Sequence, residues 1–244
     1  MTLRRPEPPL AYRDGDFLDS DEARPVRILS EYLQPLRALR RHRVRDTIVF
    51  FGSARLSADG PLARYYAEAR ELARRITEWS KALDGKTRRF LVCTGGGGGI
   101  MEAANRGASE AGAPSIGFNI TLPHEQEPNP YSTPDLTFRF HYFAMRKMHL
   151  AMRANAIAVF PGGYGTLDEL FEILTLQQTR KAPPMPVVLI GEAYWRSVVN
   201  FDALVKHNMI DRSELDLFAF ADDAEGAWAA MVRRGLMAHS SKPS

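Results

Sequence analysis

The chain has 244 residues, a formal net charge of +3 at pH 7 and 45% hydrophobic residues. This length allows a sizeable buried core, and the small net charge argues against a nucleic-acid-binding surface. Cys93 is the single cysteine, so no internal disulfide can form, and no window approaches the roughly 20 apolar residues of a membrane span. We therefore expect a cytoplasmic protein with neither a nucleic acid nor a membrane as partner.

The N-terminal part of the chain differs in pattern from the rest. Residues 1 to about 24 are rich in Pro, Arg and Asp without periodicity, which predicts a mobile or surface-draped arm. In residues 24–42 apolar side chains recur at helical spacing, which predicts a docking helix that Pro35 should kink. Its arginines could form a phosphate or nucleic-acid patch, but a solvated helix face is the favoured interpretation.

After residue 45, short apolar runs alternate with amphipathic stretches. The runs predict strands at 47–51, 90–93, 115–119, 136–142, 156–160, 187–190 and 215–220. The amphipathic stretches predict helices at 61–80, 100–111, 143–155, 165–174, 193–207 and 224–234. This alternation indicates an α/β fold with a Rossmann-like doubly wound parallel sheet in a three-layer αβα arrangement. We predict a single domain at 46–236, an N-terminal helical extension at 1–45 and a disordered tail at 237–244.

The stretch VFPGGYGTLDELFE, residues 159–172, reads as a strand, a tight glycine loop and a helix. Free backbone N–H groups, the positive end of the helix dipole and a threonine hydroxyl make such a junction an anion site, and phosphate is its commonest occupant. The predicted phosphate-binding residues are Gly162, Gly163, Tyr164, Gly165 and Thr166. Glu169 follows within about one helical turn, close enough to act on a sugar attached to that phosphate.

A second glycine loop, Gly95, Gly96, Gly97, Gly98 and Gly99, follows the predicted strand at 90–93. A G-x-G-x-x-G frame fails because Ile100, Met101 or Glu102 stands where its last glycine is needed. No lysine occupies the P-loop position, so NAD and ATP are disfavoured and we predict no cofactor. The loop either lets a ligand approach its backbone or serves as a close helix-strand packing turn.

The remaining predicted contacts lie near these two loops. Gly52 and Ser53 follow the first strand, where open α/β sheets place ligands. Arg146 and Lys147 form a cation pair in an apolar setting, which suits a phosphate or an electron-rich leaving group as well as it suits a surface pair. The predicted nucleotide-binding residues are Gly52, Ser53, Gly95 to Gly99, Met101, Glu102 and Lys147.

TGGGGGIMEAANRGA, the pair Arg146-Lys147 and PGGYGTLDE resemble the Lonely Guy (LOG) family, cytokinin riboside 5′-monophosphate phosphoribohydrolases formerly labelled lysine decarboxylase-like. Residues 115–131 resemble the SIGxNIxLPxEQxPNxY pattern of a longer subgroup. The resemblance implies cleavage of the N-glycosidic bond of AMP or an N6-substituted AMP to a free base and ribose 5-phosphate. It also implies Arg146 and Glu169 as catalytic residues and a homodimer with the site near its interface.

Several alternatives stay open at this point. Glu102 could contact the ribose, serve as a second acid or stabilise a helix dipole, while Asp168 should point to a different helix face from Glu169. Ala144-Met145 lacks the acidic neighbour seen in shorter LOG members, which leaves the base pocket open. A non-catalytic nucleotide or cofactor carrier could use the same cradle, and a pyridoxal enzyme would need Lys147. His124, His141 and His149 are not at metal-ligand spacing, so we predict no metal.

Overall fold

The computed structural model describes residues 8–83, 85–121 and 127–236. The predicted disordered tail at 237–244 lies outside these residues, as does His124.

A parallel sheet of seven strands forms the centre of the described part of the chain, in the order β4-β3-β2-β1-β5-β6-β7. The strands are β1 (Thr47–Phe51), β2 (Leu91–Thr94), β3 (Ile116–Ile120), β4 (Thr137–Phe140), β5 (Ala154–Val159), β6 (Val187–Ile190) and β7 (Ala219–Ala221). Every pairing is parallel. The predicted α/β doubly wound architecture is therefore confirmed.

Helices cover both faces of this sheet. They are α1 (Gly15–Asp19), α2 (Arg24–Arg41), α3 (Ala63–Lys81), α4 (Ile100–Glu110), α5 (Phe143–Met152), α6 (Tyr164–Gln178), α7 (Glu192–Val198), α8 (Phe201–Lys206) and α9 (Ala224–Arg233). Within β1, Ile48 and Phe50 pack with α3, α4 and α9, whereas Val49 and Phe51 pack with α5, α6 and α7. Because both faces are buried, the strand reads as an unbroken apolar run.

The strand order reverses beside β1. The chain builds outward from β1 to β4 and then returns to place β5 on the other side of β1. Loops leaving the carboxyl ends of β1 and β5 therefore separate to opposite faces of the sheet and leave a crevice between them. Such a switch point is where open α/β sheets bind ligands.

The N-terminal segment is more ordered than its composition suggests. A short 3-10 helix, Ala11–Arg13, and α1 lie on the surface within the predicted arm. The α2 helix runs through Pro35 without interruption, buries Leu36 and Leu39, and packs against α5. Its predicted arginine face is exposed to solvent.

Helix α2 is tied to the chain just before α5 by one carboxylate. The Glu31 side chain accepts hydrogen bonds from the backbone N–H groups of His141, at 2.7 Å, and Tyr142, at 3.1 Å. Arg27 Nε also donates to the Tyr142 hydroxyl, at 3.2 Å. The docking helix therefore fixes the start of α5, the helix that carries Arg146.

Two sequence-based predictions in the C-terminal third were wrong. The helix predicted at 193–207 is split into α7 and α8, because Val199 is extended and the Asn200 side chain caps a new helix through the N–H of Ala203. The first half of the strand predicted at 215–220 belongs to a 3-10 helix, Arg212–Leu217, which begins with a capping box at Asp211. The strand that follows this 3-10 helix, β7, spans only Ala219–Ala221.

Candidate functional site

A cavity of about 1070 Å³ opens at the carboxyl edge of the sheet, at the switch point. The loops after β1, β2 and β5 form its walls, and α5 and α7 contribute Arg146 and Tyr194. The predicted site residues that line it are Gly52, Ser53, Gly95, Gly97, Met101, Arg146, Gly162, Gly163, Tyr164, Gly165, Thr166 and Glu169. Gly96, Gly98, Gly99, Glu102 and Lys147, also predicted as site residues, are not part of the lining.

The loop after β5 has the geometry of an anion cradle. Helix α6 begins at Tyr164 with Gly163 as its N-cap, so the N–H groups of Tyr164 and Gly165, two residues that line the cavity, have no partner inside the helix. The next N–H group, that of Thr166, donates to the Gly163 carbonyl at 3.0 Å. The Thr166 side chain folds back over Gly162, where a Cβ would lie 2.0 Å from the threonine Oγ1. Tyr194 steadies the loop by donating its hydroxyl to the Gly162 carbonyl, at 2.7 Å. These groups together can hold a phosphate.

Arg146 and Glu169 form an ion pair in the wall of the cavity. Arg146 Nη2 lies 2.8 Å from Glu169 Oε1, and the two side chains are only 14% and 6% exposed. Burial raises the pKa of Glu169, although the positive charges of Arg146 and Lys147 act against this shift. Arg146 Nε is buried and has no hydrogen-bond partner among the described residues, while the guanidinium as a whole lines the cavity.

Lys147, the neighbour of Arg146, faces a different partner. Its Nζ lies 2.6 Å from an Asp168 carboxylate oxygen and 3.0 Å from a Glu172 carboxylate oxygen. Burial alone would lower the pKa of Lys147, but hydrogen bonds to these two carboxylates outweigh it and raise the pKa. Adjacent helical residues point about 100° apart, which separates the two ion pairs. Arg146 with Glu169 faces the cavity, whereas Lys147 with Asp168 lies beside it.

The five-glycine loop serves both uses that the sequence left open. Gly95 and Gly97 line the cavity. Gly99 has a φ of +64°, and a Cβ there would lie 2.2 Å from the Ser53 carbonyl oxygen, so this glycine allows close packing of two loops. One end of the turn is therefore available to a ligand, while the other joins α4 to the loop after β1.

A buried network of polar side chains, not predicted from sequence, holds this glycine loop. Asn129 Nδ2 donates to the carbonyls of Gly96, at 3.1 Å, and Gly97, at 2.9 Å. It also donates to Asn105 Oδ1, at 3.0 Å, which accepts a further hydrogen bond from the Thr94 hydroxyl, at 2.7 Å. Because these side chains are buried and hydrogen-bonded, they fix the loop rather than contact a ligand.

Glu102 points away from the site. Its carboxylate accepts a hydrogen bond of 2.8 Å from the Tyr66 hydroxyl, and burial together with this bond raises the pKa of Tyr66. Glu102 lies in the first turn of α4, where a carboxylate favours the helix dipole. Of the three roles left open for Glu102, which were ribose contact, second acid and stabiliser of a helix dipole, this geometry agrees with the last.

Two features are absent from residues 8–83, 85–121 and 127–236. No cluster of three or more His, Cys, Asp or Glu side chains there has the arrangement needed to hold a metal ion. None of the helices within the described ranges combines the length and apolar character needed to cross a membrane.

Comparison with known proteins identifies the family. A family model described as "Possible lysine decarboxylase" matches residues 101–231. A probable cytokinin riboside 5′-monophosphate phosphoribohydrolase of Oryza sativa subsp. japonica is 30% identical over 185 residues, which cover 74% of each chain. The chain belongs to the LOG family.

Solved structures related to this LOG-family chain share its fold. The molybdenum cofactor binding protein of Rippkaea orientalis has a TM-score of 0.53 at 19% identity, covering 78% of this chain and 97% of that one. The Moco carrier protein of Chlamydomonas reinhardtii has a TM-score of 0.52 at 24% identity, covering 80% and 99%. At these identities the likeness establishes the Rossmann-like fold alone.

The site residues predicted from sequence omit part of the cavity wall. Residues 54–57, Asn119, Tyr194 and Val198 also line it. Asn119 had a visible signal, since it is a polar residue within the apolar strand β3, but Tyr194 and Val198 lie on a helix far along the chain. Only the fold brings them to the switch point.

Proposed function

We propose that this LOG-family protein is a phosphoribohydrolase that cleaves the N-glycosidic bond of AMP or an N6-substituted AMP. The proposal rests on one observation above all: a buried Arg146–Glu169 pair faces the same cavity as a helix N-terminus suited to phosphate, about one turn away. Resemblance to plant proteins named cytokinin riboside 5′-monophosphate phosphoribohydrolases supports it.

The chemistry follows from where charge develops. When the bond between C1′ and the base breaks, positive charge builds on the ribose as an oxocarbenium ion. With the 5′-phosphate held by Thr166 and the backbone N–H groups of α6, the ribose lies beside Glu169, whose carboxylate stabilises that charge and orients water. The bond from C1′ to the base nitrogen breaks, the oxygen of the water bonds to C1′, and the proton that this water loses is taken up by the base. The products are the free base and ribose 5-phosphate.

Arg146 has two roles in this scheme. Its charge opposes the effect of burial on Glu169 and so favours the ionised carboxylate. Its guanidinium lines the cavity and can donate hydrogen bonds to the nucleotide. Among the described residues that line the cavity, Glu169 is the only carboxylate, so the scheme assigns the proton of the leaving base to the attacking water and not to a second carboxylic acid.

The size of the cavity bears on the substrate class. Its volume of about 1070 Å³ is at the top of the range of roughly 300–1,000 Å³ usual for small-molecule sites. AMP would leave part of this volume unfilled. We therefore propose that the site also accepts AMP bearing an apolar N6 substituent.

Product analysis tests the proposed reaction. The purified protein is incubated with AMP, and the products are separated by chromatography. Adenine and ribose 5-phosphate in equal amounts are expected. Adenosine with inorganic phosphate would indicate a phosphatase instead, and intact AMP, together with intact N6-isopentenyl-AMP, would overturn the proposal.

A non-catalytic carrier is the second candidate, and the unfilled cavity volume favours it. The solved relatives described as molybdenum cofactor binding or carrier proteins have the same fold. A phosphate cradle with space beyond a mononucleotide would suit a larger phosphorylated cofactor. Calorimetry that finds tight AMP binding without turnover would favour the carrier.

The decarboxylase description does not fit these residues. A pyridoxal Schiff base requires a lysine that can lose its proton. Lys147 is held by Asp168 and Glu172 with a raised pKa, and none of the described residues lining the cavity is a lysine. An absorbance scan of the purified protein near the pyridoxal band checks this directly.

We also propose that the protein is a homodimer, as resemblance to the LOG family implies. Val26, Leu29 and Leu33 are exposed apolar side chains on α2. Because clustered exposed apolar residues mark interaction surfaces, they support a second contact between the two subunits, in addition to the one near the site. Light scattering after size-exclusion chromatography should give twice the chain mass of 27.4 kDa. A mass of one chain would contradict the proposal.

A further inference from the structure

Three buried asparagines in the described part of the chain surround the five-glycine loop, and one differs from the others. Asn105 and Asn129 use both their amide nitrogen and their amide oxygen in hydrogen bonds. Asn119 is 5% exposed, yet its Nδ2 has no hydrogen-bond partner among residues 8–83, 85–121 and 127–236. Asn119 is therefore not part of the network that holds the loop.

An unpaired buried amide costs folding free energy, so the fold alone would favour an apolar residue at this position. Asn119 lies in β3 next to the buried Phe118 and the strand continues to Ile120. The five-glycine loop leaves room for the Asn119 amide at Gly96. A Cβ at Gly96 would lie 2.3 Å from Asn119 Nδ2, so a side chain at position 96 would displace the amide.

The position of Asn119 in the cavity indicates what it could contact. It lines the cavity from the end of β3, three strands from the phosphate cradle after β5. At the usual spacing of about 4.8 Å between strands, this is about 14 Å across the sheet. Arg146 lies between them, with Nη1 3.8 Å from where a Gly95 Cβ would be. A nucleotide with its phosphate in the cradle would extend its base toward Asn119.

We infer that Asn119 is a specificity-determining residue that recognises the base of the nucleotide through its side-chain amide. The inference rests on the proposed function, because it takes a nucleoside 5′-monophosphate as the ligand. Nδ2 is buried against Gly96, and no partner holds it there. The amide can therefore turn about its Cβ–Cγ bond, exchange the positions of its nitrogen and oxygen, and donate to a ring nitrogen of a base in the cavity. An asparagine amide presents a donor beside an acceptor, which matches the edge of adenine.

The test compares a ligand that has a base with one that lacks it. Calorimetry measures the affinities of wild type and Asn119→Leu for AMP and for ribose 5-phosphate, and thermal denaturation measures their stability. We expect Asn119→Leu to bind AMP about 10-fold more weakly, to bind ribose 5-phosphate with unchanged affinity, and to melt at the same or a higher temperature. Equal losses for both ligands, or an unchanged AMP affinity, would overturn the inference.

Two more variants separate recognition from structure. Asn129→Leu removes the hydrogen bonds to the carbonyls of Gly96 and Gly97, so it should lower the melting temperature and weaken both ligands. Asn119→Asp preserves the size of the side chain but presents a carboxylate to the ring nitrogen. Asn119→Asp should therefore bind AMP more weakly and ribose 5-phosphate with unchanged affinity. If Asn119→Leu does not fold, this variant tests whether Asn119 recognises the base.

The cleavage assay and the affinity comparison can fail separately. Wild-type protein that binds AMP without cleaving it would contradict the proposed function, while the affinity ratio would still test Asn119. Wild-type protein that binds neither AMP nor ribose 5-phosphate would overturn both.

Discussion

Arg146 Nη2 lies 2.8 Å from Glu169 Oε1, and this contact joins the start of α5 to the first turns of α6 across the cavity wall. Both side chains are largely buried, so each charge depends on the other for compensation. The contact also sets the protonation of Glu169, because burial raises its pKa and Arg146 opposes that rise.

The pH dependence of activity should report this balance. The proposed reaction needs ionised Glu169, so kcat/KM should be high above the pKa of this carboxyl and fall as the pH drops through it. Because burial raises that pKa, the fall should begin at a higher pH than an ordinary glutamate would give. Arg146→Gln removes the opposing charge and should move the acid limb to still higher pH. Lys147→Gln is the control, with a smaller shift expected; an unmoved acid limb in Arg146→Gln would contradict this account.

The Thr166 hydroxyl should contribute to phosphate binding. Thr166→Val preserves the shape of the side chain folded over Gly162 and removes only the hydroxyl. A hydrogen bond to a charged group contributes about 1.5–3 kcal/mol, so KM for AMP should rise about 10-fold to 100-fold. Steady-state kinetics measure KM, and thermal denaturation provides the control, since stability should be nearly unchanged. An unaltered KM would show that the phosphate binds elsewhere.

Two glycine substitutions should have opposite effects on stability. Gly99→Ala places a Cβ 2.2 Å from the Ser53 carbonyl in a backbone of positive φ, and should cost more than about 2 kcal/mol. At Gly165, within α6, a Cβ would meet nothing within 4 Å. Gly165→Ala should therefore stabilise the protein by about 0.5–1 kcal/mol. Urea denaturation measures both, and a Gly99→Ala variant as stable as wild type would contradict the packing described for this loop.

Glu31, on α2 before the first strand, should affect stability through its contact with the start of α5. Glu31→Ala removes the acceptor for the N–H groups of His141 and Tyr142, and should cost about 1–2 kcal/mol. Gln34→Ala, an exposed change on the same helix, should stay within about 0.5 kcal/mol of wild type. Denaturation of the two variants side by side makes the comparison. Equal stabilities would show that the α2 contact contributes nothing.

The sequence predicted the fold where local pattern and tertiary structure agree. β1 and β6 are buried on both faces and read as apolar runs, and the glycine loop before Thr166 marks a strand-to-helix junction. The break at Asn200 was missed because the apolar spacing of 193–207 continues across it. Only the capped start of α8 reveals that break.

The candidate site, like the fold, was predictable where the positions of residues along one segment decide the geometry. The spacing of Glu169 from the glycine loop already suggested its place, and adjacency to Asp168 implied a different direction for that residue. Spacing alone could not distinguish Arg146 from Lys147, because which of two adjacent side chains faces a cavity depends on how α5 packs; only the family resemblance favoured Arg146. Nor could it show that Asn119 lacks a partner while Asn129 has several, since both depend on contacts between distant segments.

Turnover by Glu169→Gln, measured together with binding, tests the central claim most directly. Wild type and the variant are each assayed for adenine release from AMP and for AMP affinity by calorimetry. We predict that the variant binds AMP with an affinity close to that of wild type but releases adenine at least about 100-fold more slowly, because the lost carboxylate acts mainly on the transition state. Adenine release by Glu169→Gln at the wild-type rate would contradict the assignment of Glu169 as the catalytic carboxylate.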